Sequence, residues 1–314
     1  MTIQVRALAG LPLARGGLDR DGDARARPEL LAELRADPSV RALVLSDRKA
    51  LVVDGALDLV PTRGLPEPEL LVYLGRTVTD EPGQPAGTGI LLWQIAPEDA
   101  AAVFGEPSDE RWADLRRSGH LLPDRDVGVF ATALAIANWH RAERFCPKCG
   151  ARTSIRNAGW ARHCPVDNSD LFPRMDPAVI VAVVDRRGRL LLGSNAMWEH
   201  NRFSLLAGYV DAGESLEQAV VREVFEESGM RVTSPVYLGS QPWPFPRSLM
   251  LGFVAQLSEE QDPEALVPDG EEILDLRWFT KDELDDPSSG VILPGPSSIA
   301  RAVIDDWRSG TWDR

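Results

Sequence analysis

The hydrophobic pattern changes character three times along the chain. In residues 1–126, strand-like apolar runs at 42–53 and 89–95 stand between stretches rich in Arg, Asp, Gly and Pro, as in β elements joined by surface turns. The turn-rich stretches 15–27 and 80–87 read as exposed loops without recognisable chemistry. Residues 127–143, VGVFATALAIANWHRAE, combine high helix propensity with apolar residues on most faces, which predicts a buried linking helix. The segment 145–173 is turn-rich and too poor in apolar residues to build a core unaided. Beyond Asp176 strands and helices alternate: PAVIVAVV, a turn at 185–188, LLLG, a helix over 215–228, LMLGFVAQL, and a closing helix over 297–307. The pattern predicts an N-terminal α/β domain at 1–126, a linking helix with a small module at 127–175, and a mixed α/β domain at 176–314. No internal repeat is evident, although both large domains open on strand-like runs.

Charge and apolar run length narrow the classes. Lys and Arg number 34 against 48 Asp and Glu, a net charge of −14, which opposes a broad, nonspecific hold on nucleic acid. The longest apolar runs, 127–137 and 177–184, fall short of the roughly 18 residues of a membrane span. Residues 1–17 lack the continuous apolar core of a signal peptide. A cytoplasmic protein with no membrane partner is the expectation.

The first chemistry lies at 208–230, GYVDAGESLEQAVVREVFEESGM. Ser215 followed by Gln218 is a capping-box start, and Gly229 suits the C-terminal stop. Leu216, Val220 and Val224 form a buried stripe at four-residue spacing, and Glu223, Glu226 and Glu227 are expected together on another face. A solvated acidic face is the common meaning of such glutamates. Hard oxygen donors in a cluster also suit Mg²⁺ or Mn²⁺.

The full spacing, Gly208, Glu214, Arg222, Glu223, Val224, Glu226, Glu227, Gly229 and Met230, resembles the Nudix box G-x5-E-x7-R-E-U-x-E-E-x-G-U at every specified position. The resemblance implies a Nudix fold, a mixed β-sheet sandwiched by helices. It also implies that Glu223, Glu226 and Glu227 bind catalytic Mg²⁺ or Mn²⁺, joined by the carbonyl of Ala207. Arg222 would orient a glutamate, Glu214 would support the loop–helix architecture, and Glu227 is the box residue expected to handle the attacking water. The chemistry is metal-assisted in-line displacement at phosphorus.

Downstream, SQPWPFPRS carries Pro242, Pro244 and Pro246, which remove amide donors and predict a stiff extended loop rather than a central strand. Trp243 and Phe245 would be held in fixed directions, with Gln241 and Ser248 offering polar contacts. The array resembles the signature of the NADH pyrophosphatase subfamily. That resemblance implies cleavage of NAD(H) to nicotinamide mononucleotide and AMP, with substrate contacts at Gln241, Pro242, Trp243, Pro244, Phe245, Pro246, Arg247 and Ser248. It further implies a metal-binding acid at Glu272, an adenosine contact at Ala300, and stacking on nicotinamide by Tyr209 and by Phe172 of a second subunit. Some members remove NAD caps from RNA 5′ ends, and the relatives are homodimers.

The three cysteines, Cys146, Cys149 and Cys164, fall within nineteen residues. A C-x2-C pair followed by a second knuckle is a structural zinc signal, and the NADH pyrophosphatases resembled here typically carry a fourth cysteine. In this chain Asp167 stands in its place. Zinc on Cys146, Cys149, Cys164 and Asp167, zinc on three thiolates and water, and no zinc all remain open, and His163 would serve only if the knuckle were rearranged. Two other functions stand beside the leading one: a hydrolase of ADP-ribose-like nucleoside diphosphates, and a non-hydrolytic NAD or ADP-ribose sensor.

Overall fold

The computed structural model of the chain describes residues 6–81, 84–107, 110–310 and 312. The start of the 1–17 stretch, and Pro82 and Gly83 of the loop expected at 80–87, lie outside the described residues. The rest divides into two compact units. One is Leu13–Met175 with Trp243–Arg247; the other joins the residues before Leu13 to Asp176–Pro242 and those from Ser248 onward.

The first unit holds β1 (Leu18–Asp19), α1 (Leu30–Ala36), β2 (Arg41–Ser46), β3 (Lys49–Val53), β4 (Ala56–Leu57), β5 (Leu59–Pro61), β6 (Leu70–Thr77), β7 (Gly89–Gln94), α2 (Pro97–Phe104), β8 (Trp112–Asp114), α3 (Leu115–Ser118) and α4 (Asp124–Ala142). The apolar run at 42–53 is therefore a hairpin and not one strand. Asp47 and Arg48, at φ 43° and 63°, reverse the chain between β2 and β3, the left-handed pair that matches strand twist. The sheet runs β1-β6-β7-β2-β3-β4, with β5 on β2, β8 on β3, and β2 parallel to β7. Alternate residues of β7 face two cores, Ile90 and Leu92 one way, Leu91 and Trp93 the other. Burial on both faces is why this strand reads as a continuous apolar run. The expected linking helix is α4; it packs on β2 and β6 and buries Val129, Phe130, Leu134 and Trp139 in the first of these cores. The ribbon follows, with β9 (Ser154–Arg156), β10 (Ala161–His163) and β11 (Asp170–Leu171) in the order β11-β10-β9.

The second unit holds β12 (Asp176–Val184), β13 (Leu190–Asn195), β14 (Leu206–Tyr209), α5 (Leu216–Ser228), β15 (Val232–Trp243), β16 (Ser248–Leu257), β17 (Ile273–Phe279), α6 (Lys281–Asp285) and α7 (Ile299–Arg308). Its sheet runs β15-β16-β12-β13-β17, with β14 on β12 and β12 parallel to β16. Ile180, Ala182 and Val184 of β12 pack with Ile299, Val303, Ile304 and Trp307 of α7. Val179, Val181 and Val183 pack with Val220 and Val224 of α5. One strand thus serves two helical layers, the sandwich expected of the fold.

The two sheets share one plan. β2 and β12 are central, each with a parallel neighbour (β7, β16), two antiparallel partners (β3 and β5; β13 and β14), and an outer strand beyond the first partner (β8, β17). The difference lies after β5 and β14: the second unit inserts the thirteen-residue α5, whereas the first passes from β5 to β6 without a helix. A repeat invisible along the sequence is carried by strand pairing.

Candidate active site

Local capping sets α5. Ser215 Oγ accepts from the Gln218 amide, Gln218 Oε1 accepts from the Ser215 amide at 2.9 Å, and Gly229 at φ 69° ends the helix. The three glutamates do not share one exposed face. Glu227 lies three residues beyond Val224 and seven beyond Val220, which puts it on the buried stripe, at 5% exposure. Glu226 is largely exposed, with 58% of its side chain accessible, and Glu223 lies between them. Glu227 Oε2 accepts from the Ala207 amide at 3.2 Å. Burial, then the charges of Glu272 and Glu223, push its carboxyl up to about 8. Burial also raises Glu223.

Arg222 organises the rest. Nε and Nη2 donate to the two oxygens of Glu214 at 2.9 and 2.8 Å, Nη1 to Glu223 Oε1 at 2.8 Å and Glu226 Oε2 at 3.0 Å, and Nη2 also to the Tyr209 carbonyl at 2.9 Å. All five guanidinium donors are used, which a lysine could not reproduce. The bonds from Arg222 hold Glu214 below the usual carboxylate range. Glu272, just before β17, accepts from Asn195 Nδ2 at 3.3 Å.

The acids fit hard divalent cations of the kind that keep several waters and take only one or two carboxylates plus substrate phosphate oxygens. A carboxyl with one hydrogen bond is buried beside two further acids, an arrangement that positive charge would relieve. Their oxygens do not converge as the cysteine cluster does: among the described residues, the group of three or more donors within 4.8 Å of one another is Cys146, Cys149, Cys164 and Asp167. There Cys146 Sγ lies 3.2 Å from Asp167 Oδ2, and Cys149 Sγ lies 3.4 Å from Cys164 Sγ. Ser169 donates its amide and hydroxyl to Asp167 Oδ1, which keeps that carboxylate ionised and leaves Oδ2 facing the sulfurs. Three thiols and one carboxylate oxygen suit tetrahedral zinc. His163 is engaged elsewhere, its Nδ1 2.8 Å from Asp170 Oδ1.

The proline array is not wholly a loop. Gln241, Pro242 and Trp243 end β15, an edge strand where missing amides are tolerated, and Pro244, Phe245, Pro246 and Arg247 form the turn into β16, which Ser248 opens. Gln241 is fully buried and donates to the Ser297 carbonyl at 3.0 Å; Ala300, also buried, lies in the first turn of α7, where Ser298 Oγ accepts from its amide. Trp243 and Phe245 meet edge-on at 4.8 Å, and both pack against the core of the first unit. Tyr209, 56% exposed, places its hydroxyl 3.2 Å from Ser248 Oγ. Phe172, 62% exposed, stands on the ribbon.

Sequence reasoning missed Asn138. Buried on α4, it donates through Nδ2 to the carbonyls of Pro244 and Pro246, both at 2.9 Å, while Arg141 Nη2 donates to its Oδ1. The signal was present as the one amide within ALAIANW, a polar group in an apolar helix that must find partners.

Residues 174–295 match the NUDIX domain family, 132–172 the NADH pyrophosphatase zinc ribbon domain, and 39–139 the NADH pyrophosphatase-like rudimentary NUDIX domain. Relatives include proteins named NAD-capped RNA hydrolase NudC from Mycobacterium bovis, 39% identical over 94% of both chains, and from Stutzerimonas stutzeri, 35% identical over 86% of this chain and 91% of the relative. The chain belongs to the NADH pyrophosphatase group of Nudix hydrolases. A same-named protein of Salmonella agona is 38% identical over 58% of this chain and 68% of its own. In this Nudix hydrolase the rudimentary domain coincides with the sheet of the first unit that has no counterpart of α5, which accounts for the shared strand plan. Among the described residues, no helix is long and apolar enough to cross a membrane.

Proposed function

We propose that this enzyme hydrolyses the diphosphate bond of NAD(H) to nicotinamide mononucleotide and AMP, and removes NAD caps from RNA 5′ ends by the same cleavage. The observation that carries the reading is Glu227, a buried carboxyl beside Glu223 and Glu272 in a complete Nudix box. Glu223, Glu226, Glu227 and Glu272, with the Ala207 carbonyl, would hold Mg²⁺ or Mn²⁺. When bound, the ion neutralises charge on the diphosphate and acidifies water. Arg222 keeps Glu223 and Glu226 oriented and ties them to Glu214. Water attacks one phosphorus, the P–O–P bond breaks, and the proton of the water passes to Glu227 Oε1, the oxygen not bonded to Ala207. Trp243 and Phe245 shape the substrate turn together with Gln241, Arg247 and Ser248, and Ala300 lies on the adenosine side. Tyr209 and the exposed Phe172 of a second subunit take the nicotinamide, which makes a homodimer part of the reading. A cytoplasmic location belongs to it as well. Cys146, Cys149, Cys164 and Asp167 would hold zinc for folding and not for chemistry.

The test is turnover of NADH with Mg²⁺ or Mn²⁺, wild type beside Glu227→Gln, with products separated by chromatography. Reduced mononucleotide and AMP should form and collapse in the variant. Tight NADH binding without cleavage by the metal-loaded wild type would make the protein a sensor, and faster turnover of ADP-ribose than of NADH would move the substrate.

A further inference from the structure

The charge of the chain is unevenly spread. Residues 141–174 hold seven Lys and Arg against three Asp and Glu, while the remainder holds 27 against 45. The excess sits on the ribbon surface. Arg144, Lys148, Arg152 and Arg156 are exposed, and none has a carboxylate within ion-pair distance among the described residues. Backbone pairing gathers them. Phe145 and Arg152 face each other in an antiparallel bridge, and the Thr153 amide donates to the Arg144 carbonyl at 3.0 Å. Ser154, Ile155 and Arg156 of β9 are all exposed at the edge of the small sheet. Lys148 projects from the knuckle between Cys146 and Cys149. Phe145, 60% exposed, stands among these cations.

Unpaired cations on a protein of net charge −14 keep a self-repulsion that ion pairing elsewhere in the chain relieves, and such a cluster attracts a polyanion locally. Cations beside an exposed ring suit single-stranded nucleic acid: the phosphates meet the guanidinium groups and a base stacks on the aromatic face without regard to sequence. We infer that the ribbon face of Arg144, Phe145, Lys148, Arg152 and Arg156 binds single-stranded RNA, the chain that follows an NAD cap. The inference rests on the capped-RNA reading above. It also separates two substrates that share one scissile bond, since NADH has no chain to offer this face.

The experiment compares wild type with the triple variant Arg144→Gln, Arg152→Gln, Arg156→Gln, with zinc content measured in both. Binding of uncapped single-stranded RNA is followed by fluorescence anisotropy across salt concentrations, and kcat/KM is measured for NADH and for an NAD-capped RNA. Losing three phosphate contacts should lower the slope of log affinity against log salt by about 2 and weaken RNA binding at least about ten-fold. Turnover of capped RNA should fall in step, while NADH stays within about two-fold. An unchanged salt slope in the zinc-replete variant overturns the inference, as does an equal loss on both substrates. Dissociation of an oligomer with RNA binding intact also overturns it, because the face would then join two copies of the chain. Should the variant lose zinc, photo-crosslinking of thiouridine-bearing RNA to the wild type decides, and crosslinks absent from residues 144–156 overturn the proposal. A wild type that cleaves neither substrate defeats the capped-RNA reading, a failure distinct from cleavage of both with no effect of the ribbon charges.

Discussion

The Glu223 carboxylate fills the space beside Gly208 that a side chain there would need: a Cβ on Gly208 would overlap it. The obstructed atoms are the far end of a flexible side chain, so Gly208→Ala should fold, with a thermal midpoint close to that of the wild type. Glu223 must swing away, and misplacing such a group by about 1 Å can cost roughly 100-fold in rate. Turnover of NADH beside a thermal melt checks this. Full activity in a folded Gly208→Ala would show that the position of Glu223 is not critical.

Asn138 ties the turn at 244–247 to α4 through both of its amide hydrogens, and the proposed function gives that turn a part in substrate binding. Asn138→Leu keeps the volume but leaves two carbonyls without their donor, at about 1–3 kcal/mol for a buried group left unsatisfied. The variant should melt lower and raise KM for NADH more than it lowers kcat, because the turn is assigned to binding. An unaltered KM in a folded variant would remove the turn from substrate recognition.

The carboxyl of Glu227 is raised from 4.5 to about 8 by burial and neighbouring acids. The folded state therefore holds this proton more tightly than the unfolded chain. Without added divalent metal, its contribution to stability should decline as pH rises from about 4.5 to about 8. A cation must displace the proton, so Mg²⁺ affinity should increase up to about pH 8. Thermal melts and calorimetric titrations across this range check both trends, and Glu227→Gln should flatten them. A wild type as flat as that variant would mean the carboxyl is already ionised.

At the ribbon, one oxygen of Asp167 is occupied by Ser169 and the other lies 3.2 Å from Cys146 Sγ, within the cluster that also holds Cys149 and Cys164. X-ray absorption at the zinc edge should find three sulfur neighbours and one lighter atom. Asp167→Cys should retain zinc against a chromophoric chelator better than the wild type, and Asp167→Ala should lose it roughly ten-fold more readily. Purified protein that carries no zinc would leave the knuckles as hydrogen-bonded turns.

What lay in the sequence by itself was whatever local chemistry specifies. The capping box at Ser215 and Gln218 and the stop at Gly229 set the ends of α5, and the Nudix spacing identified the family, because both depend on residues within two dozen positions of one another. The paired knuckles of Cys146, Cys149 and Cys164, with Asp167 in the fourth place, were legible for the same reason. Tertiary structure decided the rest. Glu227 reads as one more acid on a helix until β12 and β14 cover it, and burial first, then the charges of Glu272 and Glu223, raise its proton affinity. Asn138 meets its two carbonyls more than a hundred residues away, a partnership that no local pattern encodes. The kinship of the two sheets resides in which strands pair and in which direction. Pairing of that kind is long-range, and it can persist where the apolar runs that satisfy it share no recognisable sequence.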